Sequence, residues 1–269
     1  MANEDLDPAF RAMCCALPGQ DEIARALAEQ GQIPDPVAID AAVHHLSEHL
    51  ARQGLDTLQA LYHAHQLSGP FSADAASCGA RALSALALGL ISHVDGGALA
   101  AEQFAKADTM TLQLPALGNL SRHGQGTEAV AQFYQQWRHE RLVIDKWFSL
   151  QVTTCPAHKA VAVARDLLKH PDFNLKNPNR FRALIGALAM TPAAFHQADG
   201  SAYNLVADQL IALDDINPQL CARMTTVFET WRRYDGARQA LMRAALSRLA
   251  AKPNLSRDTK EMVTRLLDA

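Results

Sequence analysis

The sequence predicts an all-α fold, and three features of the chain lead to this prediction. Alanine and leucine are abundant, whereas runs of β-branched residues and alternating strand patterns are scarce. Five of the 12 prolines directly follow a good helix N-cap residue, as in Asn177-Pro178 and Asn217-Pro218. A proline fits the first turn of a helix because its missing N–H would have no partner there. The connections between predicted helices are short and polar, so neighbouring helices are expected to be antiparallel.

These features predict a superhelical array of antiparallel helix pairs, similar to HEAT or armadillo repeats. No fixed sequence period is present, so the array is expected to be irregular. The segment from Thr109 to Gly126 is predicted to be the least regular, because it contains Pro115 and several glycines. We therefore expect one domain over residues 1–269, with a soft division near 109–126. The predicted helices are 8–15, 21–30, 36–52, 55–66, 73–93, 97–105, 127–138, 140–151, 156–169, 178–189, 192–197, 201–213, 218–232, 235–250 and 256–268.

Two predicted helices have the clearest apolar faces. In the helix over 178–189, apolar residues recur at i, i+3, i+4 and i+7: Phe181, Leu184, Ile185 and Leu188. The helix over 218–232 carries a similar set: Leu220, Met224, Val227, Phe228 and Trp231. Aromatic and methionine residues at this spacing are typical of a packed core rather than of a cofactor site.

Composition limits the classes of function. The chain has 269 residues, of which 49% are hydrophobic and 20% charged, as in globular proteins. The net charge is −3 and lysine and arginine are scattered, so we expect neither a nucleic acid nor a membrane as a partner. The acidic start, Met1 to Asp5, does not resemble a secretory signal. The most apolar segment, Ala82 to Val94, is shorter than a bilayer span and predicts a buried helix in a soluble, cytoplasmic protein.

The cysteines predict thiols rather than a disulfide framework or a zinc ribbon. Their number is odd, two are adjacent, and no C-x-x-C occurs. Buried or half-buried reduced thiols are the favoured interpretation for all of them: Cys14, Cys15, Cys78, Cys155 and Cys221.

A series of short motifs connects the sequence with a known family. In chain order they are Asp145-Lys146-Trp147-Phe148, Asn177-Pro178-Asn179-Arg180-Phe181-Arg182, Pro192-Ala193-Ala194-Phe195-His196, Asp199-Gly200-Ser201-Ala202-Tyr203 and Arg233-Tyr234-Asp235. Their order and spacing closely resemble the C-terminal helical domain of bacterial aminopeptidase N, a zinc metallo-aminopeptidase of the gluzincin family. The resemblance is close over 142–269. It is looser over 7–120, where Asp7-Pro8-Ala9 and Leu17-Pro18 carry it.

The resemblance implies a role without catalysis. In the resembled enzymes a separate domain holds the zinc, and the C-terminal domain closes over the cleft and forms an internal cavity. The zinc motif of that separate domain is absent here, since His139-Glu140-Arg141-Leu142-Val143 starts like H-E-x-x-H but ends in valine. The substrate-amine motif Gly-x-Met-Glu-Asn is also absent. The implied function is a cavity-forming, substrate-gating domain, inactive alone, with no catalytic residue and no cofactor of its own. Its implied partners are a zinc-containing catalytic domain, in cis or in trans, and peptide substrates.

Two arginines are the candidate substrate-cavity residues. The resemblance places positions matching Arg182 and Arg223 toward the cavity, where a guanidinium suits peptide carbonyls or a carboxylate. The alternative is that they cap helix ends or form ion pairs with Asp172, Asp199 or Asp215, and both interpretations stay open. Arg180, Asp145, Lys146 and Arg233 are expected to be structural.

One local motif suggests a metal. His45-Leu46-Ser47-Glu48-His49 matches H-x-x-E-H, in which two histidines on one helix face bind zinc and a glutamate acts as base. So short a motif often occurs by chance. A solvated polar helix face in a histidine-rich stretch is favoured, and no metal site is predicted in this chain.

A different class of function is also compatible with the sequence. A free-standing helical-repeat scaffold would bind a protein partner on its concave face. The chain is compatible with a truncated protein, a split gene product or a free-standing relative.

Overall fold

The computed structural model describes residues 5–67 and 70–268 of the chain. Within these residues all regular elements are helices, as the sequence predicts. The predicted connection Gly69-Pro70 has its glycine outside the described residues, as does most of the acidic N-terminus. The chain forms two compact units: unit 1 comprises Met1–Pro18 and Ala41–Val143, and unit 2 comprises Gly19–Asp40 and Ile144–Ala269.

The helices follow one another with short connections. In chain order they are α1 Pro8–Cys15, α2 Gln20–Glu29, α3 Pro36–Gln53, α4 Leu55–Ala64, α5 Ala75–Asp95, α6 Ala98–Lys106, α7 Met110–Arg122, α8 Thr127–Trp137, α9 Arg141–Thr154, α10 Ala160–Leu168, α11 Pro178–Phe181, α12 Ala187–Ala189, α13 Pro192–Phe195, α14 Ser201–Asp214, α15 Pro218–Thr225, α16 Gly236–Ala250 and α17 Arg257–Asp268. Short 3₁₀ segments lie at Ala157–Lys159, Thr226–Phe228 and Trp231–Arg233. A π-helical turn, Arg182–Gly186, connects α11 with α12.

Side-chain caps start several of these helices. The carboxylate of Asp7 accepts from the backbone N–H of Phe10, and Asn217 accepts from Leu220 in the same way. Asn177 accepts from two backbone N–H groups at the start of α11. Such caps satisfy N–H groups that have no partner within the helix, typically contributing about 1 kcal/mol each. Thr191 is different, because its hydroxyl donates backwards to the carbonyl of Ala187.

The prediction of an irregular segment over 109–126 is wrong, because α7 occupies most of this segment. Pro115 lies inside this helix. Ala116, Leu117 and Leu120 after the proline are buried, and the buried amide of Gln113 accepts from the indole of Trp137 at 2.7 Å. Packing of this kind outweighs the cost of one missing helix hydrogen bond. The segment belongs to the interior of unit 1.

The prediction of one continuous helix over 218–232 is also wrong for the second half of that segment. The α-helix ends at Thr225, and two 3₁₀ segments follow. The hydroxyls of Thr225 and Thr226 donate to carbonyls one turn earlier, a bonding pattern that competes with regular helix. The apolar face is nevertheless buried, apart from the half-buried Val227, and the Trp231 indole donates to the carbonyl of Leu266 at 3.0 Å.

The apolar segment around Ala82 to Val94 forms most of α5. This helix, Ala75–Asp95, has 21 residues, and its length and composition would allow it to cross a membrane. Half of its apolar window is buried inside the protein, and core helices pass the same test. Leu83, Leu88 and Ile91 are among its buried residues, as expected for a core helix.

The stripe over 178–189 leads to a first prediction. Phe181, Leu184, Ile185 and Leu188 are completely buried. Phe181→Ala should therefore lower the free energy of unfolding by about 3–5 kcal/mol, the usual result of emptying a packed aromatic site. Urea unfolding followed by circular dichroism measures this. Met190→Ala is the matched control, because Met190 is 78% exposed and its loss should change stability by less than about 0.5 kcal/mol. Equal effects of both changes would contradict the packing described here.

Candidate functional site

The motifs that connect the chain with a family form the buried framework of unit 2. The guanidinium of Arg180 donates from Nε to Asp145 Oδ1 at 2.6 Å and from Nη1 to the carbonyl of Asp172. It also lies over the ring of Phe148, with Cζ at 4.7 Å from the ring centroid. The side chains of Arg180 and Asp145 are only 6% and 15% exposed. This geometry is that of a structural ion pair between α9 and α11. The sequence predicts a structural role for both residues.

A second group of motif residues surrounds His196. Its Nδ1 lies 2.8 Å from the hydroxyl of Tyr203, and its ring stacks on Tyr234 at a centroid distance of 3.9 Å. The guanidinium of Arg238 donates to the backbone carbonyl of His196 at 2.7 Å. Burial, with the nearby charges of Arg238 and Arg233, lowers the pKa of His196 to about 3. The ring is therefore neutral near pH 7, and it serves the packing of α13 against α14.

Arg182 belongs to the same motif as Arg180 but points the other way. It starts the π-helical turn Arg182–Gly186, and its side chain is exposed. π-Helical turns inside α-helices occur often at functional sites. Gly186 lies one turn further on, where an added Cβ would be 3.6 Å from Arg182 Cβ and 3.4 Å from Met224 Cε. The helix that carries Arg182 thus touches α15 at Met224.

Arg223 directly precedes Met224 and is also exposed. The two candidate arginines therefore flank one contact between neighbouring helices. Neither guanidinium has a hydrogen bond or an ion pair with any residue that the structure describes. Two of the carboxylates considered as partners are engaged elsewhere: Asp215 binds Lys252 at 2.6 Å, and Asp199 accepts from the N–H of Ser201.

Five other arginines of unit 2 contrast with these two, because each pairs with a carboxylate: Arg25 with Glu29, Arg180 with Asp145, Arg233 with Asp21, Arg238 with Asp235, and Arg248 with Asp208. Arg165, Arg257 and Arg265 resemble Arg182 and Arg223, since they are exposed and have no such pair among the described residues. Exposed guanidinium groups that lack such a partner remain available to bind an anion or a row of carbonyl oxygens.

The H-x-x-E-H motif lies on α3 as a polar helix face. His45 and His49 are exposed, and the carboxylate of Glu48 pairs with Arg52 at 2.5 Å. This hydrogen bond and the Arg52 charge lower the pKa of Glu48. No three histidine, cysteine, aspartate or glutamate side chains among the described residues are grouped so that they would hold a metal ion. His139 and Glu140 are exposed between α8 and α9. These described residues do not fit a zinc site.

Unit 1 contains a cavity that sequence reasoning did not find. Its volume is about 520 Å³, and residues of α4, α5 and α6 line it, including Tyr62, Arg81 and Gln103. The Tyr62 hydroxyl donates to Gln103 Oε1 at 2.9 Å, and Arg81 donates to the carbonyl of Ser72 at 2.8 Å. Each of these two donors therefore has a hydrogen-bond acceptor within the protein. No sequence motif marks the cavity, because its lining comes from separate helices.

Comparison with known proteins gives the family. Residues 1–268 match the family DUF3458_C, described as a domain of unknown function with ARM repeats. The chain belongs to the DUF3458_C family. The chain is also 36% identical over 277 residues to aminopeptidase N of Caulobacter vibrioides, a match that covers 99% of this chain and 31% of that protein. Its identity to aminopeptidase N of Escherichia coli is 36% over 273 residues, with the same coverage.

A solved structure agrees with these matches. Aminopeptidase A of Legionella pneumophila, in complex with aspartic acid, superposes with a TM-score of 0.88 and 28% identity. The match covers 99% of this chain and 32% of that chain. This DUF3458_C chain thus spans about a third of the length of the proteins it resembles, and it matches the C-terminal part of aminopeptidase N. The resemblance predicted from the motifs is confirmed.

The cysteines of this DUF3458_C chain are all free thiols. Cys221 is buried, and burial raises the pKa of its thiol to about 11. Cys15 and Cys155 are half-buried as predicted, but Cys14 and Cys78 are exposed, so the prediction was wrong for these two. Both lie on the outer faces of helices that are buried only on one side, which the cysteine count does not reveal.

The ion pair between Arg180 and Asp145 gives a second prediction. Asp145→Ala should lower the free energy of unfolding by about 3–5 kcal/mol, because it leaves a buried guanidinium without its counter-charge. The double change Asp145→Leu with Arg180→Met should recover much of this loss. Denaturant unfolding of all variants tests both statements. Asp166→Ala, which breaks an exposed pair with Lys169, is the control and should change stability by less than about 1 kcal/mol. A small effect of Asp145→Ala would show that the pair is not a buried framework.

Proposed function

We propose that the chain is the cavity-forming, substrate-gating part of an aminopeptidase N-like zinc peptidase. The catalytic domain would be supplied in cis or in trans, and the whole would act on peptides in the cytoplasm. The observation that carries this proposal is the pair Arg182 and Arg223, exposed and without a carboxylate partner, in a chain that matches the C-terminal part of aminopeptidase N.

The two arginines suit the binding of a peptide beyond its first residue. A guanidinium offers parallel N–H donors that fit the two oxygens of a carboxylate, or successive carbonyl oxygens of an extended peptide. Because Arg182 and Arg223 flank one helix contact, they present their donors from neighbouring positions. The zinc of the catalytic domain would supply the activated water. This chain's own residues would bind and orient the peptide and restrict the entry of larger substrates.

Exposed apolar residues at the N-terminal helix are a candidate surface for a protein partner. Phe10 and Met13 of α1 and Leu6, which precedes the helix, are 52%, 76% and 42% exposed. Exposed apolar residues grouped in this way commonly mark a protein interface. A catalytic domain that covered α1 would bury them.

The same apolar stripe is compatible with a second function, a helical-repeat scaffold that binds another protein. The two functions differ in their genetic context. A reading frame that encodes both H-E-x-x-H and Gly-x-Met-Glu-Asn, in the same protein or beside it, favours the peptidase. Its absence favours the scaffold.

The isolated chain gives a third prediction. It should not release aniline from leucine or alanine anilides, with or without added zinc, because the described residues provide no zinc site. A chromogenic assay of the purified chain measures this. Zinc-dependent turnover that disappears in His45→Ala would contradict the proposal and show that α3 carries zinc ligands.

The arginines give a fourth prediction. With the catalytic domain present, the double variant Arg182→Ala, Arg223→Ala should raise the KM for tri- to pentapeptides by about tenfold or more, since each charged hydrogen bond contributes about 1.5 kcal/mol or more. The kcat should change little, because the contact is equal in ground and transition states. Anilide substrates should be unaffected. Steady-state kinetics on both substrate classes measures the difference.

Two controls make the test specific. Lysine at both positions should restore little affinity, because it keeps the charge but loses the planar arrangement of donors. Arg257→Ala removes another exposed arginine, on α17, and should leave peptide kinetics unchanged. If the double variant unfolds at a much lower temperature, and its KM changes equally for short and long substrates, the arginines are structural.

A further inference from the structure

Three histidines from three helices of unit 1 lie in contact. His44 of α3 packs edge-on against His93 near the end of α5, with 4.9 Å between ring centroids. His93 in turn packs edge-on against His123, which follows α7, at 5.5 Å. The rings thus form a row with His93 in the middle. The histidine-rich stretch of the sequence contains His44 beside His45 and His49, but His93 and His123 are distant in sequence, so no local pattern predicts the row.

Two ring nitrogens in this row are sealed from solvent without a partner. His93 Nδ1 and His123 Nε2 are buried and have no hydrogen-bond partner among the described residues. A buried polar atom without a partner destabilises a fold, so such atoms are rare. The neutral ring tolerates this environment better than the charged one, since a buried charge needs a counter-charge.

The surrounding charges do not supply that counter-charge. Burial, together with the positive charges of His44, His123 and Arg122, lowers the pKa of His93 to about 4, and the carboxylate of Glu48 has a smaller, opposite effect. Burial also lowers the pKa of His123, with Arg122 and His44 acting in the same direction and Asp95 against it.

The nearby carboxylates are already engaged. Glu48 is paired with Arg52, and Asp95 accepts from the backbone at the start of α6. The charged residues of α6, Glu102 and Lys106, pair with each other. On α4, Asp56 and His63 are exposed, and the buried Tyr62 donates its hydroxyl hydrogen to Gln103.

We propose that His44, His93 and His123 form an acid-sensitive joint, which holds α3, α5 and α7 together while the rings are neutral and releases them when His93 and His123 gain protons. Protonation would place like charges about 5 Å apart in a partly buried site, and the rings would separate to reach water. The joint would loosen unit 1 locally in mildly acidic surroundings. It is independent of the proposed peptidase role.

The direction of the pH dependence follows from proton linkage. The folded-state pKa of His93, about 4, lies below the ordinary value of 6.5, so the open state binds more protons between these two values. The stability of the joint is therefore present above pH 6.5 and is lost as the pH falls from 6.5 toward 4. Allowing for the partial exposure of the ring, the equilibrium constant for local opening should rise about tenfold between pH 7 and pH 5.

Amide hydrogen exchange of the 269-residue chain tests this proposal. The measurement compares protection in the last turns of α5 and α7 at pH 7 and pH 5, after correction for intrinsic exchange rates. In the wild type, opening should increase about tenfold at pH 5. In the double variant His93→Gln, His123→Gln this increase should disappear, because glutamine carries no proton-dependent charge. His139→Gln, an exposed histidine of the same unit, should behave like the wild type.

Variant comparison is needed because His196 of unit 2 also has a lowered pKa and contributes to acid sensitivity of the chain as a whole. An unchanged pH response in the double variant would overturn the joint. If the double variant does not fold, NMR titration of the wild-type imidazoles decides: a midpoint for His93 below pH 5 supports the joint, and one near 6.5 overturns it. Destabilisation of the wild type by EDTA at pH 7, reversed by zinc, would also overturn it, because the rings would then be metal ligands.

Discussion

The buried pair of Arg180 and Asp145 is the constraint on which unit 2 depends. A guanidinium taken out of water needs polar partners and a counter-charge, and here a carboxylate, a backbone carbonyl and an aromatic face surround it. Meeting these requirements sets the positions of α9, α11 and the loop at Asp172 together. Arg182 follows two residues later, and neighbouring positions of a helix face different directions. The burial of Arg180 therefore helps to direct Arg182 outward.

Two other buried polar groups of unit 2, His196 and Asp214, follow the same rule. His196 has the hydroxyl of Tyr203 as a partner, and Asp214 accepts from the N–H of Ser256 at 3.0 Å. Lys252, only 7% exposed, lies 3.4 Å from the same carboxylate. Arg182 and Arg223 differ from these buried groups, because both are exposed and neither pairs with a carboxylate among the described residues.

The histidines of unit 1 differ from His196 in their hydrogen bonding. His196 of unit 2 has a hydrogen-bond partner for its buried nitrogen, whereas His93 and His123 have buried nitrogens without one. In both units a neutral histidine with a lowered pKa makes stability depend on protonation. Only His196 has a hydrogen-bond partner for its buried nitrogen.

The sequence by itself determined the helical class, most helix starts and the family. These features are local: an N-cap and its proline lie within two residues, and an apolar stripe repeats within one helix. Only the tertiary structure decided that α7 is helical despite Pro115, because burial of its neighbours outweighs the local cost of a proline. It also decided which arginines are paired, and that His44, His93 and His123 meet. Such pairings join residues far apart in the chain, and no local pattern encodes them because they depend on how whole helices pack.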